Sequence, residues 1–127
     1  MTLSERQISG HQAEALAEHF LRRRGLRMVS RNYRCRAGEI DLVMLDPGEA
    51  SAEQLVFVEV RFRPPGAMVS AVETVDQRKQ HKLIQAARHF LMNHQGFQEH
   101  PCRFDVIGVE SLDESPQWIV NAFEANS

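Results

Sequence analysis

Cysteine is scarce in this chain, aromatic residues are few, and no long apolar run occurs. The two cysteines of the 127 residues, Cys35 and Cys102, lie far apart and in no metal-like pair, so they imply neither a disulfide framework nor a zinc site. No apolar stretch approaches the about 20 residues of a membrane-spanning helix. The opening residues, MTLSERQISG, are too polar for a secretory signal. The expectation is a soluble cytoplasmic protein with no membrane partner. The single tryptophan and tyrosine, Trp118 and Tyr33, are too few for a stacking platform on single strands. His11, His19, His81, His89, His94 and His100 form no HExxH motif and no i, i+4 pair, and receive no metal. Excess base is missing as well: the formal charge is −2, without the surplus that usually marks a footprint on phosphate. Distribution says more than the sum. Arg22, Arg23, Arg24, Arg27, Arg31, Arg34 and Arg36 crowd one segment, and Arg78, Lys79, Lys82 and Arg88 another. Such a run either lies along a nucleic-acid backbone or is a solvated face.

What is present has the size and patterning of one α/β domain spanning residues 1–127. Ala13, Leu16, Ala17, Phe20 and Leu21 recur at helical spacing from about Ser9 to Arg24, and Gly25 stands where a helix would stop. LRMVSRNYR predicts a strand leading to a turn at Ala37-Gly38. GEIDLVMLD predicts a second, ended by Asp46-Pro47-Gly48, and LVFVEVRFR a third, ended by Pro64-Pro65-Gly66. Thr74 and Gln77 have the spacing of a capping box, and helical spacing continues through Val75, Leu83, Ala86, Ala87, Phe90 and Leu91 up to Gly96. CRFDVIGVE and QWIVNAF close the chain as two more strands.

The third of these strands carries Glu59 and Arg61 among Val56, Phe57, Val58, Val60 and Phe62, where an unpaired charge is costly to bury. It should pair with GEIDLVMLD as an antiparallel hairpin. With the loop centred on Ala50, Asp41 opposes Glu59 and Glu39 opposes Arg61. Side chains alternate along a strand, so these charges share one face. Opposed carboxylates repel unless something positive separates them, and a hard divalent ion such as Mg²⁺ would do so. The alternative is an ordinary cross-strand charge network on a wet face. Arg61 adds a cation beside the acids, as phosphoryl-transfer chemistry requires.

An acid on one strand and Glu-x-Lys on the next resembles the PD-(D/E)xK nuclease superfamily, here as Asp41 and Glu59-Val60-Arg61. More closely, GEIDLV, VFVEVRFR, the Lys79 to Leu91 helix and RFDV, in that order from about Gly10 onward, resemble the YraN family of uncharacterised bacterial proteins. That family is similar to archaeal Holliday-junction resolvases. The resemblance implies a restriction-endonuclease-like fold, a mixed central sheet of about five strands flanked by helices. It also implies Mg²⁺ or Mn²⁺ as cofactor and metal-dependent cleavage of structured or branched DNA. Asp41, Glu59 and the Val60 carbonyl would hold the ion. Glu14, at the place of a first-helix acid in the wider group, would reach it through water; from position alone it reads as a solvated boundary glutamate. Arg61 departs from the superfamily's lysine: arginine keeps its charge but cannot give up its proton. Lys79, matching a lysine of the YraN-like pattern, is the candidate to share that work.

Catalytic candidates are therefore Glu14, Asp41, Glu59, Arg61 and Lys79, and nucleic-acid contacts Arg22, Arg23, Arg24, Arg34, Arg36 and Lys82. Asp105 belongs to the YraN-like pattern, or is a structural ion pair with Arg103. The resolvase likeness suggests a homodimer. Beside the nuclease stand two other readings: a nuclease-fold protein that binds nucleic acid without turnover, and a protein-interaction domain whose strand acids are a surface network.

Overall fold

Ser9 starts the first helix: its hydroxyl accepts the Gln12 amide N–H while the Gln12 side chain accepts that of Ser9. Helix α1, Gly10–Arg23, ends at Gly25, whose φ of +94° suits glycine. There the Gly25 N–H bonds Arg22 O and the Leu26 N–H bonds Leu21 O, closing a Schellman motif over two buried leucines. Strand β1 covers Arg27–Cys35, β2 Gly38–Asp46 and β3 Gln54–Phe62. Helix α2, Gln77–Met92, leads to β4, Cys102–Val109, and β5, Gln117–Phe123. The computed structural model describes residues 9–48, 52–63 and 70–125. The Ala50 loop centre, the Pro64-Pro65-Gly66 stop and the first eight residues lie outside these.

The five strands form one sheet in chain order, antiparallel except for the parallel β3–β4 pair that α2 connects. This is the expected α/β architecture with a mixed sheet. Alternation along β3 assigns its two faces: Leu55 and Phe57 pack with Leu83, Ala86, Ala87 and Phe90 of α2, and Val56 and Val58 with Ala13, Ala17 and Leu21 of α1. One helix therefore covers each face. Among the described residues no helix is long and apolar enough to cross a membrane.

Two expectations need correction. Helix α2 is capped by Asp76, whose carboxylate accepts the Lys79 N–H, and not by Thr74. The Thr74 hydroxyl is already committed to Ala71 O within a 3-10 turn, Val72–Thr74. Helical structure also stops at Met92, with a separate 3-10 turn at Gln95–Phe97, so the apolar spacing toward Gly96 does not reflect one continuous helix.

Candidate functional site

The β2–β3 ladder has the expected register, running from Asp46↔Gln54 to Leu42↔Val58, but it stops there. Beyond it the carboxylate of Asp41 occupies the ladder's place, its Oδ2 accepting the Val60 N–H at 2.8 Å. The alternation of β2 breaks at the same point. Val43 and Leu45 face α2 and Leu42 and Met44 face α1, yet Ile40 joins the α2 side. Asp41 thus lies at a fork between two strands, where it meets Glu59 of β3 and also Glu14 of α1.

Both strand acids are buried, Asp41 9 % exposed and Glu59 5 %. Burial, then the charge of Asp41, pushes the Glu59 carboxyl up to about 7 despite the opposing pull of Lys79 and Arg61. Those cations stand 3.6 Å (Lys79 Nζ) and 3.4 Å (Arg61 Nε) from Glu59 Oε2, and each side chain is 31 % exposed, open to a ligand from solvent. Arg61 is aimed by a hydrogen bond from its Nη2 to Thr74 O at 2.9 Å, while its buried Nε makes no well-aligned hydrogen bond. Glu14 is half-buried. Its carboxyl is raised by burial first and then by Asp41, an effect that a bond from the Asn32 side chain opposes.

The chemistry of this donor set fits a hard cation: two buried oxygen donors repel each other and lack enough positive charge between them. Among the described residues no group of three or more His, Cys, Asp or Glu side chains is arranged to hold a metal ion, so protein donors here number at most the two strand carboxylates and a backbone oxygen. Any ion here would keep open positions for water or phosphate. Val60 contributes its amide, to Asp41, in this arrangement.

Of the expected residues, Asp41, Glu59, Arg61, Lys79 and Glu14 come together. The expected Glu39–Arg61 pairing does not form: once the strands part, Glu39 turns to Arg34, with Nε–Oε2 at 3.2 Å. Asp105 is fully buried away from the fork, accepting from Arg103, from Trp118 Nε1 at 2.9 Å and from the Asn121 N–H at 2.9 Å. It is a structural hub. The basic candidates divide. Arg34 and Arg36 lie on the β1–β2 hairpin, whose Gly38 faces Lys82 of α2, where an added Cβ would come into contact at 3.5 Å. Arg22, Arg23 and Arg24 lie at the far end of α1, Arg22 paired with Glu18 and Arg24 stacked 3.8 Å over Phe20. Sequence reading missed Asn32 and the Thr74 carbonyl. An asparagine within a strand of otherwise favourable residues was the available hint, and its φ of +50° gives the reason.

Comparison with known proteins agrees with the YraN-like resemblance. Residues 13–109 match the model of the family described as Uncharacterised protein family UPF0102. A UPF0102 protein of Stutzerimonas stutzeri is 50 % identical over 125 residues, covering 97 % of this chain and all of that one. Those of Nitrosococcus oceani and Pseudomonas syringae pv. syringae are 47 % and 46 % identical, covering 93 % and 98 % of this chain and 93 % and 100 % of their own. On this likeness, which spans nearly the whole length of each relative, the chain belongs to the UPF0102 family.

Proposed function

We propose that the protein is a divalent-metal-dependent nuclease that hydrolyses phosphodiester bonds in structured or branched DNA. The observation that carries this reading is the buried approach of Asp41 and Glu59 at the strand fork, which leaves Glu59 short of positive charge with two cations beside it. A fold maintained for stability alone would remove such a pair, because burying like charges together is costly. In this reading Asp41 and Glu59 hold Mg²⁺ or Mn²⁺, with the Val60 carbonyl as a further donor and Glu14 acting through water. Such an ion, when bound, supplies Lewis-acid polarisation of a phosphoryl oxygen and eases deprotonation of the attacking water. The chain's own part is positioning and charge. Lys79 and Arg61, half-open to solvent, meet the phosphate, and the Thr74 carbonyl fixes the direction of Arg61. Arg61 can neutralise charge but cannot serve as a base.

That last property favours a second reading, a nuclease-fold protein that binds DNA without cutting it. One experiment separates the two: wild type, Asp41→Asn and Arg61→Lys are incubated with a four-way DNA junction and Mn²⁺. Cutting by wild type that Asp41→Asn abolishes supports the nuclease. Binding without cutting, with turnover acquired by Arg61→Lys, supports the second reading. Cutting that Asp41→Asn leaves intact, or no interaction with DNA in any variant, overturns both.

A further inference from the structure

The arginine-rich run looks like one basic surface in the sequence, but the fold splits it into two with different electrostatic surroundings. At the C-terminal end of α1, Glu18 accepts from Arg22 at 3.1 Å and from Arg31 Nε and Nη2 at 2.7 and 2.6 Å. Arg23 and Arg24 line a groove together with Asp113 and Glu114 of the β4–β5 loop. Four cations and three acids gather there, with Arg22 and Arg31 both ion-paired to Glu18. The hairpin and the start of α2 differ. Arg36 at the hairpin tip and Arg78 and Lys82 on α2 are exposed, and none has an ion pair or side-chain hydrogen bond among the described residues. The acids on these two segments, Glu39 and Asp76, are engaged by Arg34 and by the Lys79 amide.

Their placement ties these cations to the fork. Arg78 and Lys82, four apart, share one side of the helix. Lys79 between them reaches Glu59, and Gly38, two residues past Arg36, lies close enough to Lys82 that a Cβ on it would meet that residue at 3.5 Å. We infer that Arg36, Arg78 and Lys82 form the surface that grips the DNA backbone, delivering a phosphate to Lys79 and Arg61, and that the Arg22–Arg24 end of α1 lies outside this contact. Cations on an otherwise basic surface bind phosphate by releasing condensed counterions, whereas cations set among carboxylates, as at the end of α1, attract phosphate less. The inference rests on the proposed nuclease site for its ligand, and it names the path the ligand takes.

The test is fluorescence anisotropy with a labelled four-way junction in EDTA, from 50 to 200 mM salt, so that binding is read without metal or cleavage. Arg36→Ala and Lys82→Ala are each expected to weaken binding about eightfold near 0.1 M salt and to lower the log–log salt slope by about 0.9. Arg23→Ala is expected to change neither. All three side chains are exposed, and far-UV circular dichroism verifies that the variants fold. Loss of affinity in Arg23→Ala with none in Arg36→Ala and Lys82→Ala overturns the inference, as does a wild type that does not bind the junction. Failure of the metal site would appear separately, as absent Mn²⁺ binding in a protein that still grips DNA through Arg36 and Lys82.

Discussion

Glu59 offers a sharp test because the two accounts of its surroundings predict opposite signs. If Lys79 and Arg61 make it a stabilising buried ion pair, removing its charge costs stability at neutral pH. If burial and Asp41 dominate, as its rise from 4.5 to about 7 indicates, the charge itself is the cost. Between these two pH values the folded chain keeps a proton that the unfolded chain has released, so stability falls as pH rises through that window. The contribution is whole below 4.5 and gone above about 7. Its size is about 3 kcal/mol, or about 10 °C in Tm for a chain of this length. Glutamine is uncharged throughout. The Glu59→Gln difference from wild type, measured in EDTA by urea denaturation, should therefore become more stabilising by about 3 kcal/mol between pH 4 and pH 8, and using the change cancels the steric cost of the substitution. A difference that stays flat, or turns more destabilising toward pH 8, would refute the reasoning.

Gly108 of β4 has no room for a side chain, since a Cβ there would lie 2.7 Å from that of Ala71. Gly108→Ala is expected to cost about 1–3 kcal/mol in chemical denaturation. It should also displace the turn whose Thr74 carbonyl aims Arg61, so junction cleavage should fall at saturating Mn²⁺. Asp105→Asn leaves Arg103, Trp118 and the Asn121 amide with one neutral acceptor in place of a carboxylate, and should cost about 3–5 kcal/mol. The fluorescence of Trp118, the single tryptophan, should report the loosened site before global unfolding. Asp76→Ala removes the α2 cap and is expected to lower stability by about 1 kcal/mol in the same assay.

Periodicity and turn chemistry made the elements legible in the sequence. Apolar spacing located α1, Ser9 and Gly25 bounded it, and a connection centred on Ala50 gave the β2–β3 register that the ladder has, where a one-residue slip would have inverted both faces of the core. The start of α2 was misread because Thr74 and Asp76 are both good caps, and only the 3-10 turn that occupies the Thr74 hydroxyl decides between them. The Glu39–Arg61 pairing failed for a related reason: register arithmetic assumes that a ladder continues, and Asp41 ends it by taking the Val60 N–H. That interruption also lets Glu14, from the helix on the other face of the sheet, approach Asp41. The surroundings of the arginines were not legible either, since Glu18 meets Arg31 across 13 residues and the groove beside Arg23 and Arg24 is completed by Asp113 and Glu114 from the far end of the chain.

The central claim is that the acids at the fork are a cation site. It is tested most directly by calorimetric titration of Mn²⁺ into wild type and Asp41→Asn at pH 8, without DNA. The account predicts a single saturable site in wild type, weakened at least tenfold in Asp41→Asn. Equal binding by the two proteins, or no binding to a folded wild type, would contradict it.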